Sequence, residues 1–370
     1  MVHYSFMNTP QEFEPLLQGF RRLESSGFAG GAALATLTRT RGSTFRRAGA
    51  RMLVCGDGSV VRGLSGGCPE ADIIARSHEV IAAGTARIVR YDRENGLDAL
   101  IELGCGGELE VLIEPVSGQA DLGFVGAVER CLGSRAPGFL ATAFAQDGRV
   151  IGPRPRRLVW SGQTLHDEFG DAALREALIA RAATVNGRPQ VQDFDTAQGN
   201  LDVLIETLLP PWAIVLVGVN AASLALARIG RNLGWDVSLV DHRDHAEAPA
   251  GLAEGARLVQ SGPGQLAGRV SLDARSFAVV MTHNLERDIE YLRALLPAPL
   301  AYLGAIGSRQ RAQKLLRGAD ASAPRVRAPA GLDLGSETPE EIALAIAAEI
   351  LAVTTGRAGT PLSASSGPIH

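Results

Sequence analysis

Lysine is nearly missing: Lys314 stands alone among 36 lysines and arginines. A Schiff-base mechanism would have to rest on that one amine, and this class is set aside. No excess of positive charge exists either. The formal net charge is -4 over 370 residues, which offers no basic field to nucleic acid. No stretch of about eighteen apolar residues occurs, so a membrane-spanning helix is not indicated. The opening "MVHYSFMNTP" lacks the charged region and apolar run of an export signal, and a cytoplasmic location is expected by default. Cysteine is scarce as well. Cys55, Cys68, Cys105 and Cys131 show no CxxC spacing and no neighbouring histidine, which argues against a structural zinc site or a disulfide framework. Any cysteine chemistry would use a lone thiol.

What is present is a chain with 46% hydrophobic and 21% charged residues, suited to two or three globular domains. Phe13, Leu16, Leu17, Phe20 and Leu23 recur at helical spacing after Thr9 and Pro10, predicting a helix over about 10 to 26. Strand-like runs "GAALATLT", "ARMLVC" and "LEVLIEPV" follow, with a helix from about 70 to 83. Two glycine-rich loops interrupt them, "GLSGGCPE" before the helix and "LGCGGE" before the last strand. Glycine at this density lets backbone approach a ligand or turn through positive φ.

The next segment repeats the first. "FLATAF" at 139 to 144 matches "ALATLT" at 33 to 38, and "RRLVWSG" at 156 to 162 matches "ARMLVCG" at 50 to 56, both displaced by 106 positions. "LREALIARA" aligns with "PEADIIARS", and "LDVLIETL" with "LEVLIEPV". The pattern is a degenerate duplication of strand, strand, helix, strand. The second copy has lost the loops: "GSTFRRAGA" has become "GRVIGPRPR", "LSGGCP" has become "GDAAL", and "GCGG" is gone. Glycines that served only the scaffold should have been kept in both. That contrast marks Gly66, Gly67, Cys68 and Gly104 to Gly107 as candidate site residues, although duplicated loops also drift freely.

After "LLPP" at 208 to 211 the chain alternates strands and helices in the rhythm of a doubly wound parallel sheet. The expected fold is thus α/β, a C-terminal Rossmann-like sheet preceded by an α+β region holding the duplication. The expected domains are 1–118, 119–209 and 210–370. The first strand, "WAIVLVGV", should be followed by G-x-G-x-x-G, but the chain reads Gly218, Val219, Asn220, Ala221, Ala222, Ser223. This damage argues against NAD(P) binding. Asp241, at the end of the second strand, stands where a ribose-binding acid belongs. His283, and Gly307, Ser308 and Arg309 at an expected helix N-terminus, are further candidates at the sheet's carboxyl edge, the last three for an anion. "TPEE" at 338 to 341 is a capping box opening the last helix.

Together "GSTFRRAGARMLV", "GLSGGCPEADI", "LGCGGELEVLIEP", "VVMTHNLERDIEYLRALL", "YLGAIGSRQRAQKLL" and "GLDLGSETPEEIALAIAAEILA" resemble the XdhC/CoxI family, accessory factors of xanthine dehydrogenase and carbon monoxide dehydrogenase. The resemblance spans nearly the whole chain. It implies a chaperone rather than an enzyme, one that binds the molybdenum cofactor, protects it during sulfuration and hands it to a molybdenum hydroxylase. A cysteine desulfurase is the implied sulfur-donating partner, and a homodimer is left open. Such cargo asks for backbone amides, cations and a soft ligand, which Ser43, Ser65, Glu70, Arg46, Arg47, Arg51 and the two loops are placed to offer. Cys68 and Cys105 are the candidate molybdenum contacts. The alternative is an NAD(P)-dependent oxidoreductase using the Rossmann-like domain.

Overall fold

The computed structural model describes residues 10–42, 44, 46–64, 68–92, 107–185, 187–243, 249–321 and 325–364. They fall into two compact units that meet in sequence at Pro210 and Pro211. Among the described residues no helix is long and apolar enough to cross a membrane.

The first unit opens with α1 (Pro10–Ser25), whose Phe13, Leu16, Leu17, Phe20 and Leu23 are buried as the helical spacing requires. It continues through β1 (Ala32–Arg41), β2 (Arg51–Cys55), β3 (Val60–Val61), α2 (Cys68–Ala83), β4 (Arg87–Tyr91) and β5 (Glu108–Val116). These strands form an antiparallel sheet in the order β3-β2-β1-β5-β4. The second half supplies α3 (Gly123–Gly133), β6 (Gly138–Gln146), β7 (Arg149–Val150), β8 (Arg156–Trp160), β9 (Thr164–Asp167), α4 (Ala172–Ala182), β10 (Gln190–Thr196) and β11 (Gly199–Leu208). Their sheet runs β9-β8-β6-β11-β10, with β7 paired onto β6. The two sheets have one topology.

Register makes the equivalence residue by residue. Leu34 faces Leu53 and Thr36 faces Arg51 across β1 and β2, while Leu140 faces Val159 and Thr142 faces Arg157 across β6 and β8. Leu34 also faces Glu114 on β5, as Leu140 faces Glu206 on β11. Both central strands carry a bulge at the same step, after Leu37 and after Ala143. A leading helix, α1 or α3, and an outer strand, β4 or β10, therefore belong to each copy in addition to the repeat seen in the sequence.

The inner faces of the two sheets share a core with α1 and α3. Phe13, Leu34, Leu53, Val116, Phe124, Val128, Leu140, Val159 and Leu208 are buried together there. Two charged pairs cross it. Arg51 on β2 donates to Glu206 on β11 through both terminal guanidinium nitrogens, Nη1 at 2.8 Å, and Arg157 on β8 donates to Glu114 on β5. Each arginine also stacks on the phenylalanine of its own copy's leading helix, Arg51 at 5.0 Å from the Phe13 ring centre and Arg157 at 4.1 Å from that of Phe124. Residue i of one copy meets j of the other, and j meets i. That reciprocity is the signature of a two-fold interface, here closed within one chain.

The second unit is the parallel sheet expected of "WAIVLVGV" and its successors. It contains β12 (Ala213–Val217), α5 (Ala221–Asn232), β13 (Asp236–Asp241), β14 (Arg257–Gln260), β15 (Ser276–Val280), α6 (Leu285–Leu295), β16 (Tyr302–Ala305), α7 (Arg309–Ala319) and α8 (Pro339–Thr355). The order β14-β13-β12-β15-β16 reverses direction between β12 and β15, which places the switch-point crevice beside Gly218. Both faces are covered, so β12 is buried along its whole length. Thr338 caps α8 and Glu341 reaches back to it, as the capping box requires.

Candidate functional site

The loops marked by the duplication lie largely outside the described residues: Ser43, Ser65, Gly66, Gly67, Gly104, Cys105 and Gly106 are not among them, nor is the side chain of Cys68. Their anchors are described. The Thr44 hydroxyl donates to the carbonyl of Arg46 at 2.8 Å. The Arg46 guanidinium donates to the Gly63 carbonyl at 3.4 Å. Glu70, in the first turn of α2, packs so closely on Gly63 that an added Cβ would sit 2.8 Å from its carboxylate oxygen. Arg46, Gly63 and Glu70 are thus one constellation at the N-terminal end of the helix that Cys68 opens. Arg47, next in the chain after Arg46, is half-buried, and Gly107 is buried one residue before β5. α2 is held to its sheet by Ile73 and Val80, and by Asp72, which accepts from Tyr91 at 2.7 Å and from Arg76 at 2.8 Å. Burial and the neighbouring Asp72 push the Tyr91 hydroxyl well above its ordinary pKa, so it remains a donor.

Arg51 does not join this group. Its place in the sequence suggests a cation for the cargo, but its side chain is 4% exposed and committed to Glu206 across the pseudo-dyad. The physical reason is register: on β2 its side chain points to the inner face of the sheet, opposite Thr36.

A second polar cluster has no counterpart among the sequence candidates. Beside the bulge in β1, Glu110 accepts from Thr38 at 2.8 Å, from Arg39 at 2.7 Å and from Arg90 at 2.8 Å. Burial works against its charge, but the donors from Arg90, Thr38 and Arg39 win and hold the carboxyl below its usual range. Arg39 reaches on to Asp202 of the second copy at 3.1 Å. Burial pushes Asp202 up, and Asp193 beside it adds to the shift against the pull of Arg39. In the second copy the register places Ala145 where Arg39 stands and Asp193 where Arg90 stands. Both cations belong to the copy with the loops. The offset of 106 already puts Ala145 opposite Arg39 in the sequence; the outer strand that aligns Asp193 with Arg90 is needed to see the rest.

At the carboxyl edge of the parallel sheet, Asp241 is 3% exposed and occupied. Arg243 donates to it at 2.8 Å, and His242 Nδ1 lies 3.0 Å away. His283 is exposed in a left-handed turn at φ 64°. Asn284 caps α6, and the fully buried Asp288 of that helix accepts from Thr282 at 2.6 Å and from Arg311 at 2.6 Å. Ser308 caps α7, so Gly307, Ser308 and Arg309 do sit at a helix N-terminus, all three exposed. Asp241 and the Gly307 group follow different strands, β13 and β16, which are not neighbours in the sheet.

Residues 214–350 match the XdhC Rossmann domain, and residues 29–92 match the XdhC and CoxI family. A Bacillus subtilis (strain 168) protein named as a probable xanthine dehydrogenase subunit is 28% identical over 323 residues, covering 86% of this chain and 92% of its own. The molybdenum cofactor insertion chaperone PaoD of Escherichia coli (strain K12) is 24% identical over 330 residues, with coverages of 87% and 83%. The crystal structure of a xanthine dehydrogenase from Bacillus halodurans superimposes with a TM-score of 0.71 at 22% identity, covering 97% of this chain and 98% of that one. At that identity the likeness concerns the fold alone.

Proposed function

The chain belongs to the XdhC and CoxI family, and from that membership we propose that it is an accessory factor that carries the molybdenum cofactor to a molybdenum hydroxylase of the xanthine dehydrogenase type. The cofactor is cargo: it is held while a cysteine desulfurase supplies its terminal sulfur, then passed on in the cytoplasm. A relative named as a molybdenum cofactor insertion chaperone, aligned over most of both chains, supports this reading. The observation that carries it is the constellation of Arg46, Gly63 and Glu70 at the start of α2, in the copy that keeps its glycine loops. Arg46 and Arg47 supply charge for phosphate and oxo groups, the dipole at the N-terminus of α2 favours the same anions, and Cys68 supplies a soft ligand.

Purification of the full chain from cells competent in cofactor synthesis tests this reading. The parent should carry molybdenum and yield a fluorescent pterin on oxidation. Arg46→Ala and Arg47→Ala should each weaken retention about ten-fold to a hundred-fold, the usual cost of a charge-assisted contact. Cys68→Ala should reduce molybdenum content at unchanged folding, because it removes little volume. Equal cargo in parent and variants, at matched circular dichroism, takes these residues out of the site. Bound NAD in place of pterin turns the reading toward an oxidoreductase.

A further inference from the structure

The Glu110 cluster opens onto a cavity of about 560 Å³ between the two copies, lined by Arg39, Arg41, Arg90, Asp92, Glu108 and Glu110. That volume is typical of small-molecule sites, which run at about 300–1,000 Å³. Among the described residues its lining carries three charged side chains of each sign. A phosphate or oxyanion would call for an excess of cations, which the described lining does not hold. Balanced carboxylates and guanidinium groups instead complement a neutral ring whose edge offers donors beside acceptors. Ala48 and Val191 add apolar wall for the faces of such a ring.

We infer that this cavity binds the 2-amino-4-oxo pyrimidine edge of a pterin. The inference rests on the carrier reading above and assigns one part of the cargo to a place of its own. Glu108, 39% exposed and 3.9 Å from Arg41, accepts from the ring N–H and the 2-amino group as a carboxylate accepts from any paired donors. Arg39 and Arg90, with side chains 40% and 53% exposed, keep donors for the ring carbonyl and nitrogen. Glu110 touches no ligand. It positions both arginines, one on each carboxylate oxygen. The second copy, with Ala145 and Asp193 at those places, has neither cation and could not build the edge. In the sequence, Asp92 and Glu108 flank the stretch that holds "GCGG", which copy two also lost.

Titration of the full chain with 6-hydroxymethylpterin, read by its fluorescence, tests this. Saturable binding is expected, weakened about ten-fold to a hundred-fold by Glu108→Gln and similarly by Arg39→Ala. Glu108 is exposed enough that its amide variant should fold, which keeps the test valid if Arg39→Ala does not. GMP carries a related edge and serves as the second arm: binding tighter than the pterin's overturns the pterin assignment. A flat pterin titration, or one unchanged in Glu108→Gln, overturns the site whatever the cargo content. Free pterin bound here by a protein that never carries molybdenum would leave the site standing and sink the carrier reading instead.

Discussion

Glu206→Ala is expected to destabilise the N-terminal unit by about 3–5 kcal/mol, because it leaves the Arg51 charge buried without a counter-ion. The side chains of Arg51 and Glu206 are 4% and 1% exposed, and those of Arg157 and Glu114 are 2% and 4% exposed. Water cannot reach either pair to replace a missing partner. Glu114→Ala should therefore cost a similar amount by stranding Arg157, whose Nε and Nη1 already lack a hydrogen-bond partner among the described residues. Removing both members is a different experiment. Arg51→Met with Glu206→Leu should come out near neutral, since the desolvation cost of the ions disappears with their attraction. Urea unfolding of the full chain, with hydrogen exchange reporting on β1, β2, β6 and β8, separates this unit from the second. A single-variant loss below about 1 kcal/mol would mean the pairs are hydrated, as surface pairs are.

Those pairs also show what a linear sequence conveys and what it hides. Strand pattern and the constant displacement of 106 expose the duplication, because apolar alternation on a half-buried strand survives divergence. The leading helices are harder to see. Phe13 and Phe124 lie 111 positions apart, not 106, because after the phenylalanine the second helix is three residues shorter and its turn into the strand two residues shorter, which breaks the match. Arg51 reads as a free cation near a glycine loop, since its partner is 155 residues away and only the assembled sheets bring them together. Arg39 and Arg90 escape notice for the opposite reason. They look like ordinary strand arginines until Glu110 and the register of the second copy are both known. The parallel sheet is the most legible part, because β12, buried on both sides, must be apolar throughout.

NAD, NADP and their reduced forms should bind the second unit no better than about millimolar, near -4 kcal/mol. The remaining glycine has a structural job: Gly218 sits at φ 106°, and an added Cβ would lie 2.8 Å from the carbonyl oxygen of Met281 and from the Cα of Thr282. Only glycine lets β12 turn past the end of β15. The second glycine position is Asn220, and its side chain is fully engaged. It accepts from the Ser223 amide at 3.1 Å and donates to the Met281 carbonyl at 2.7 Å, spanning the crevice where a pyrophosphate would approach. The third position, Ser223, is fully buried and accepts from the Asn220 amide at 2.9 Å, so it completes a capping box instead of leaving bare backbone. Helix amides that hold phosphate in a dinucleotide binder are here partly spent on the protein's own cap. Asp241 is paired with Arg243 and His242, and a ribose would have to displace them. Calorimetry on the full chain measures the outcome directly. Micromolar affinity for any of these nucleotides, lost in Asp241→Ala, would show that the cap opens and would return hydride chemistry to this domain.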